Sequence, residues 1–428
     1  MPSTQLKIAI VGAGPVGLSL AAILHHRGIK SVIFDRDTSA TARSQGGTLD
    51  IHADAGQRAL IAAGLLTVFR AKARPEGEAT RLVKNDGTVV LDENEQPPPP
   101  SIEGEDGRGR PEIDRRDLKD LFINALPEGT IRWGKGVAGV VPVEGSEQWM
   151  LKFLDGSSGE KDPDAGPYDL VLGADGAWSR VRPVLTDVKP LYAGVSALDT
   201  RISTADLAAR PDVAKFIGRG SCMVLAENRF VPLMSHGDGS ARAYACVRVS
   251  PEKGGPVPSA WKLLDLDPEG KSESEIDWAD EAVRRRFLDT QFADFAPEIR
   301  EYILAMDEEP MLRHYYMLPV GLRWDGRPGV SLLGDAAHVM TPFAGVGVNI
   351  GMMDALELAE GIVGYVEARE KGRGEGESLA NMLRKYEEGM FERSKKGAEL
   401  TASMMEMEFG PNGAEAVAEI MAGGEPPE

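Results

Sequence analysis

Gly334-Asp335-Ala336-Ala337-His338, followed by Pro342-Phe343-Ala344-Gly345-Val346-Gly347-Val348-Asn349, is the stretch on which the reading of this chain turns. The apolar run at 329–333 just before it reads as a buried parallel strand. Such a strand delivers Gly334 and Asp335 to the carboxyl edge of a sheet, where ligands bind in open α/β folds. A carboxylate there can accept from sugar hydroxyls. Pro342 and Gly345 keep the next loop lean enough for a flat ring to approach. Gly347, Val348 and Asn349 then open a helix whose leading N–H groups favour negative charge.

Two earlier stretches share this strand-then-glycine form. Residues 7–11 read as a buried strand leading into Gly12-Ala13-Gly14-Pro15-Val16-Gly17. Gly12 permits a tight turn, Gly14 lets the backbone approach a pyrophosphate, and Gly17 lets helix pack on strand. Pro15 suits a first helical turn, and Gly28 is placed to stop the helix. A second strand at 31–34 ends on Asp35, with Arg36 beside it. Asp35 has the spacing to accept from the ribose hydroxyls of an adenosine. This unit alone leaves NAD and FAD equally open. In the middle of the chain, a strand at 168–174 leads into Asp175-Gly176-Ala177-Trp178-Ser179-Arg180-Val181-Arg182. Asp175 and Ser179 would cap a helix there, and Arg182 would reach a phosphate or Asp175.

The whole chain sets limits. Its 428 residues suffice for two domains or one elaborated domain. Lys+Arg 48 against Asp+Glu 67 gives 48 − 67 = −19, which opposes binding to nucleic acid or anionic lipid. Two cysteines make neither a disulfide framework nor a Cys-rich metal site, and six scattered histidines show no metal spacing. No run approaches the length of a membrane span, and no signal peptide precedes the first strand, so a cytoplasmic protein is expected. Oligomeric state is open.

The expected fold is α/β. A doubly wound GxGxxG domain is assembled from 1–74, 110–188 and 326–370. A β-sheet substrate domain from 75–109 and 189–325 is inserted, since the texture of 191–323 changes to alternating strands. A long helix from 379 to about 408 and a fraying tail complete 371–428. Helices are also expected at 117–126, 281–288 and 349–366, with one helix running from about 57 through 66. Antiparallel strands are expected at 137–143 and 149–154. Four prolines in 96–110 mark a linker or surface loop.

Taken together, the three glycine motifs resemble the single-component FAD-dependent aromatic hydroxylases, the group of para-hydroxybenzoate hydroxylase. Roughly half of the chain carries this likeness. Ala42-Arg43-Ser44-Gln45-Gly46-Gly47-Thr48-Leu49-Asp50-Ile51-His52, with Pro111-Glu112-Ile113-Asp114-Arg115-Arg116-Asp117-Leu118, is similar more narrowly to the tetracycline-inactivating monooxygenases. The resemblance implies FAD as cofactor, NADPH or NADH as co-substrate, and O2. A C4a-hydroperoxyflavin would hydroxylate a bulky aromatic or polyketide-like molecule. It further implies that Arg43, Asp50 and Arg115 contact FAD or gate its movement, and that Asp335 binds the flavin side. The substrate region departs from the pattern. Asp199, Ser221 and Tyr244 stand where the tetracycline enzymes carry Gln, Arg and His, and Val346 stands where many relatives carry Gln. Tetracycline is therefore a guide to substrate size.

Asp199 and Tyr244 are the candidates for a general base, and Tyr244, Phe343 and Met404 for the substrate pocket. His338 reads as a local hydrogen-bonding residue. Among rivals, a flavin halogenase would carry Trp-x-Trp-x-Ile-Pro, whereas the six tryptophans here are dispersed. An FAD oxidoreductase without oxygen transfer shares the same motifs and stays open, as does a flavin-binding sensor module.

Overall fold

In the computed structural model, residues 6–42, 46–96, 109–157, 162–249, 253–267, 269–304, 310–371 and 378–423 are described. Two sheets organise them. The first has five parallel strands in the order Val330–Leu332, Leu170–Gly173, Ile8–Val11, Val32–Phe34, Ile131–Arg132. Ile8 to Val11 are 0–3 % exposed, as a strand covered on both faces must be. All five strands run the same way, so Val11, Phe34, Gly173 and Leu332 end on one edge. Each of the three motifs, and Asp35, leaves from that edge.

The helix Pro15–His26 follows the first strand and packs on the helices Arg115–Asn124 and Gly347–Glu370. Its Pro15 occupies the first helical position, and Gly28, at φ +77°, closes it by donating to His25 O at 2.9 Å. The antiparallel pair Val137–Pro142 and Trp149–Phe153 joins the same core, with Phe34 5.3 Å from Phe153 and 6.2 Å from Tyr168.

The second sheet has seven strands: Met311–Met317, Leu191–Ile202, Ala241–Arg248, Arg229–Ser235, Ser221–Ala226, Thr80–Lys84 and Val89–Asp92. Alternation decides its two faces. Leu198, Ala243, Ala245 and Val231 face the helices Glu281–Gln291 and Pro297–Leu304. Ala197, Cys246, Phe230 and Leu82 face Phe343 and the end of the helix Leu379–Glu408. The second sheet is thus a wall whose inner face looks onto the loop of the third motif.

Three expectations need correction. The helix expected through 57–66 is two, Gly56–Ala62 and Leu66–Arg70, because Gly64 sits at φ +72°. The expected fraying tail contains the helix Gly413–Met421, which buries Ala414 and Val417 in the inner-face cluster. No α-helix follows Ser179; a short 3-10 turn, Arg182–Val184, stands there. The prolines of the 96–110 segment and Arg43 lie outside the described residues. Among the described residues no helix is long and apolar enough to cross a membrane.

Candidate functional site

Steric contact fixes the first turn. A Cβ on Gly12, at φ +108°, would sit 2.3 Å from Ala174 O, and one on Gly17 would sit 2.2 Å from Gly12 O. A Cβ on Gly14 would meet nothing within 4 Å. Gly12 and Gly17 are therefore demanded by the protein, while Gly14 borders open space at the helix start. That helix has no side-chain cap and no acid in its first turn, which leaves N–H groups and positive dipole for an anion. Asp35 accepts from Ala13 N–H at 2.6 Å and from Asp37 N–H at 2.8 Å. A carboxylate has about four acceptor sites, so capacity for a hydroxyl remains. Arg36 is exposed beside Gly136.

The third motif touches the first. A Cβ on Gly334, at φ +59°, would lie 3.1 Å from Val16 Cγ2. Asp335 is exposed, and its carboxylate takes no partner among the described residues. After it, Pro342–Ala344 makes a 3-10 turn that Gly345 ends at φ +67°, facing the Asp50 carboxylate. The helix Gly347–Glu370 again begins without a side-chain cap or first-turn acid. Asn349 is a clamp: its Oδ1 accepts from His52 N–H at 2.8 Å and Gly56 N–H at 3.3 Å, and its Nδ2 donates to Asp50 O at 2.9 Å. Only the backbone N–H groups of Gly347, Val348 and Asn349 remain to face a ligand.

The second motif ties the others together. Asp175 Oδ2 accepts from Arg180 N–H at 2.6 Å, while Oδ1 is buried without a partner. Burial raises its pKa, opposed by its hydrogen bonds to Ser179 and Arg180. Ser179 Oγ accepts from the N–H groups of Val181 and Arg182. The Arg182 guanidinium gives its hydrogen bonds to backbone oxygens rather than to the Asp175 carboxylate, which it supports only through charge. It donates to Ala336 O at 2.8 Å, Ala177 O at 2.7 Å and Asp335 O at 3.3 Å, which fixes the backbone under Asp335.

Behind the edge lies a network with partners far apart in sequence. Asp354, fully buried, accepts from Gly334 N–H at 2.9 Å, pairs with His338 Nε2 at 2.6 Å and accepts from Arg393 at 3.0 Å. His338 is thus bound to Asp354 of the next helix rather than locally. Thr401 of the long helix donates to Thr341 O at 2.7 Å and accepts from Ala344 N–H at 3.3 Å. Position alone in the sequence gave no sign of either brace.

Arg115 begins its helix beside the Gly46-Gly47 turn, whose Gly46 Cβ would lie 3.5 Å from Arg115 Nε. Burial works against the Arg115 charge, with Tyr244 and Asp335 supporting it and Arg242 and Arg313 opposing it. Arg115 therefore lies between the parallel-sheet edge and the inner face of the second sheet.

On that inner face Asp199 and Tyr244 are paired across strands. Asp199, proposed from sequence as a base, is 3 % exposed and accepts from Arg242 Nε at 2.6 Å, Arg242 Nη2 at 2.9 Å and Arg313 Nε. Both oxygens serve guanidinium donors, an arrangement suited to holding two arginines in place. The Tyr244 ring lies 5.7 Å from the Arg242 guanidinium, and burial raises its phenol pKa. Phe343 joins the lean loop to this face, with ring centres 5.8 Å from Tyr315, 6.1 Å from Phe230 and 5.3 Å from Phe409. Met404 packs half-buried against the same cluster. One metal-like grouping occurs among the described residues, Asp114, His236 and Asp238. Both carboxylates are already paired, with Arg74 at 3.1 Å and Arg201 at 2.8 Å.

These residues fit a dinucleotide that carries a flat ring. Open space at Gly14, two uncapped helix starts, the unpartnered Asp335 and the orphaned Asp175 Oδ1 all lie along one edge.

Comparison with known proteins agrees. The family model described as FAD binding domain matches residues 5–379. The monooxygenase asqM of Emericella nidulans is 30 % identical, covering 98 % of this chain and 99 % of that protein. The 3-amino-4-hydroxybenzoate 2-monooxygenase of Streptomyces cremeus is 27 % identical over 86 % of this chain and 80 % of that protein. Among solved structures, a salicylate hydroxylase substrate complex aligns with a TM-score of 0.69 at 20 % identity, covering 97 % of this chain and 93 % of that one. The tetracycline destructase Tet(51) aligns at 0.63 and 19 %, covering 98 % and 95 %.

Proposed function

The chain belongs to the FAD-binding-domain family of flavin-dependent monooxygenases, and on that premise we propose that it hydroxylates a bulky aromatic or polyketide-like small molecule at the inner face of its second sheet. When bound, FAD supplies the redox chemistry, taking electrons from NADPH or NADH and delivering them to O2. The protein's own contribution is position, electrostatics and water exclusion.

Gly12, Gly14, Pro15 and Gly17 would hold the pyrophosphate, and Asp35 with Arg36 the adenosine end. Asp175 and Asp335 would take hydroxyls of the ribityl chain. Pro342, Gly345, Gly347, Val348 and Asn349 would face the ring system with backbone alone. Asp50 and Arg115 would border it, with Arg43 added by resemblance. Residues 75–109 and 189–325 would form the substrate-binding domain. Asp199 would position Arg242 and Arg313. Tyr244, kept protonated by burial, would donate a hydrogen bond to the substrate. Phe343 and Met404 would wall the pocket. Two buried free cysteines accord with a reducing, cytoplasmic setting.

The observation that carries this reading is the meeting of the third-motif loop with the inner sheet face, at Phe343. The test is NAD(P)H oxidation and peroxide release, with and without a panel of aromatic compounds. A substrate is expected to speed NAD(P)H oxidation and to yield a product with one added oxygen. Electrons passing to an acceptor with no oxygen incorporated would refute it.

A further inference from the structure

The long helix Leu379–Glu408 ends against the inner sheet face, and its last residue is 2 % exposed. Around it in sequence, Met405, Met407 and Phe409 are buried in the cluster that holds Phe230, Cys246 and Phe343. Yet Glu408 Oε2 has no hydrogen-bond partner. Among the described residues no ion pair with Glu408 occurs, and Arg248, at the same helix end, pairs with Glu406 at 2.8 Å. Burial alone acts on the Glu408 carboxyl and pushes it well above the usual carboxylate range. Burial thus favours the protonated form of this acid, the form with an O–H to give.

Its surroundings point to the pocket. Glu408 acts electrostatically on Cys246, two residues from Tyr244 and on the same face. Cys246 Sγ lies 4.0 Å from Tyr315 Oη, and the Tyr315 ring meets Phe343 edge-on. The cluster around Phe343 is mostly apolar, with Tyr315 and Cys246 as polar-tipped members and Glu408 acting on Cys246 from the helix end. A buried acid without a partner costs stability, and a position serving packing alone would be filled as its neighbours are, by Met or Phe.

We propose that Glu408 is a specificity-determining residue whose carboxyl O–H donates to a carbonyl oxygen on the aromatic substrate. This rests on the reading of the inner face as the substrate pocket. The test uses FAD-loaded protein and a matched pair of probes, 6-acetyl-2-naphthol and 6-ethyl-2-naphthol, with affinities read from the change in flavin absorbance. The wild type is expected to favour the acetyl probe by about tenfold, the worth of one well-placed hydrogen bond. Glu408→Leu is expected to keep its FAD and bring that ratio to about one. Glu408→Gln, which keeps a donor and an acceptor, is expected to retain most of it. An unchanged ratio in Glu408→Leu, or no preference in the wild type, would overturn the assignment. Neither probe binding to flavin-loaded wild type would instead overturn the pocket reading on which it rests.

Discussion

Asp354→Asn tests how the third motif is held. Both Asp354 oxygens accept only: Gly334 N–H and His338 on Oδ2, Arg393 on Oδ1. An amide NH2 in either position faces a donor. Removing one partner of a buried pair costs about 3–5 kcal/mol. With an unfolding entropy of about 2.1 cal/mol/K per residue, 428 residues give about 0.9 kcal/mol/K, so Tm should fall by roughly 3–6 °C.

The pH dependence has a definite sign. Burial works against the His338 charge, but Asp354 outweighs it and the pKa is raised. Its stabilisation is complete below about pH 6.5 and is lost as pH rises through the folded value. Burial likewise works against the Asp354 charge, but His338 and Arg393 outweigh it and hold the pKa down. Its stabilisation is present above about pH 3.9 and is lost as pH falls through the folded value. The penalty of Asp354→Asn should therefore be largest near pH 5–6.5 and shrink toward alkaline pH. Differential scanning fluorimetry of the FAD-loaded protein across pH measures it. A Tm change below about 1 °C at pH 6, or a penalty that grows with pH, would refute the reasoning.

Asp335→Ala should weaken FAD binding roughly tenfold or more, since carboxylate hydrogen bonds are worth about 1.5–3 kcal/mol. Unchanged affinity in a fluorescence titration would place the flavin elsewhere. Gly17→Ala sets a Cβ 2.2 Å from Gly12 O and should lower Tm and FAD affinity together, by about 1–3 kcal/mol of overpacking in stability. Normal values of both would show that the turn relaxes freely. Phe343→Ala should uncouple the reaction by admitting water: NAD(P)H use continues while product per NAD(P)H falls and peroxide rises. Equal coupling to wild type would remove Phe343 from the pocket wall.

Much of the parallel-sheet edge that carries the three motifs was legible because many of its constraints are local. Gly17 answers a contact with Gly12 O inside its own turn, and Pro15 and Gly28 bound their helix by backbone geometry, whereas the close neighbour of Gly12 is Ala174 of another strand. The helix Leu379–Glu408 matched its expected bounds because Ser378 caps it and its pattern is unbroken. What sequence did not disclose was long-range pairing. Arg182 reaches the backbone at 335–336, His338 finds Asp354, and Asp199 gathers Arg242 and Arg313 from separate strands. No local pattern announces such partners. The helix Gly413–Met421 was missed because Gly and Pro further along suggested a frayed end, whereas Ala414 and Val417 dock on the sheet.

The most direct test of the central claim, that three separated motifs build one FAD site, is the visible spectrum of the protein after purification with FAD and removal of unbound flavin. Flavin absorbance bands at one FAD per chain are predicted, lost on acid denaturation because the cofactor is held without a covalent bond. A folded protein that stays colourless and binds no added FAD would contradict the account.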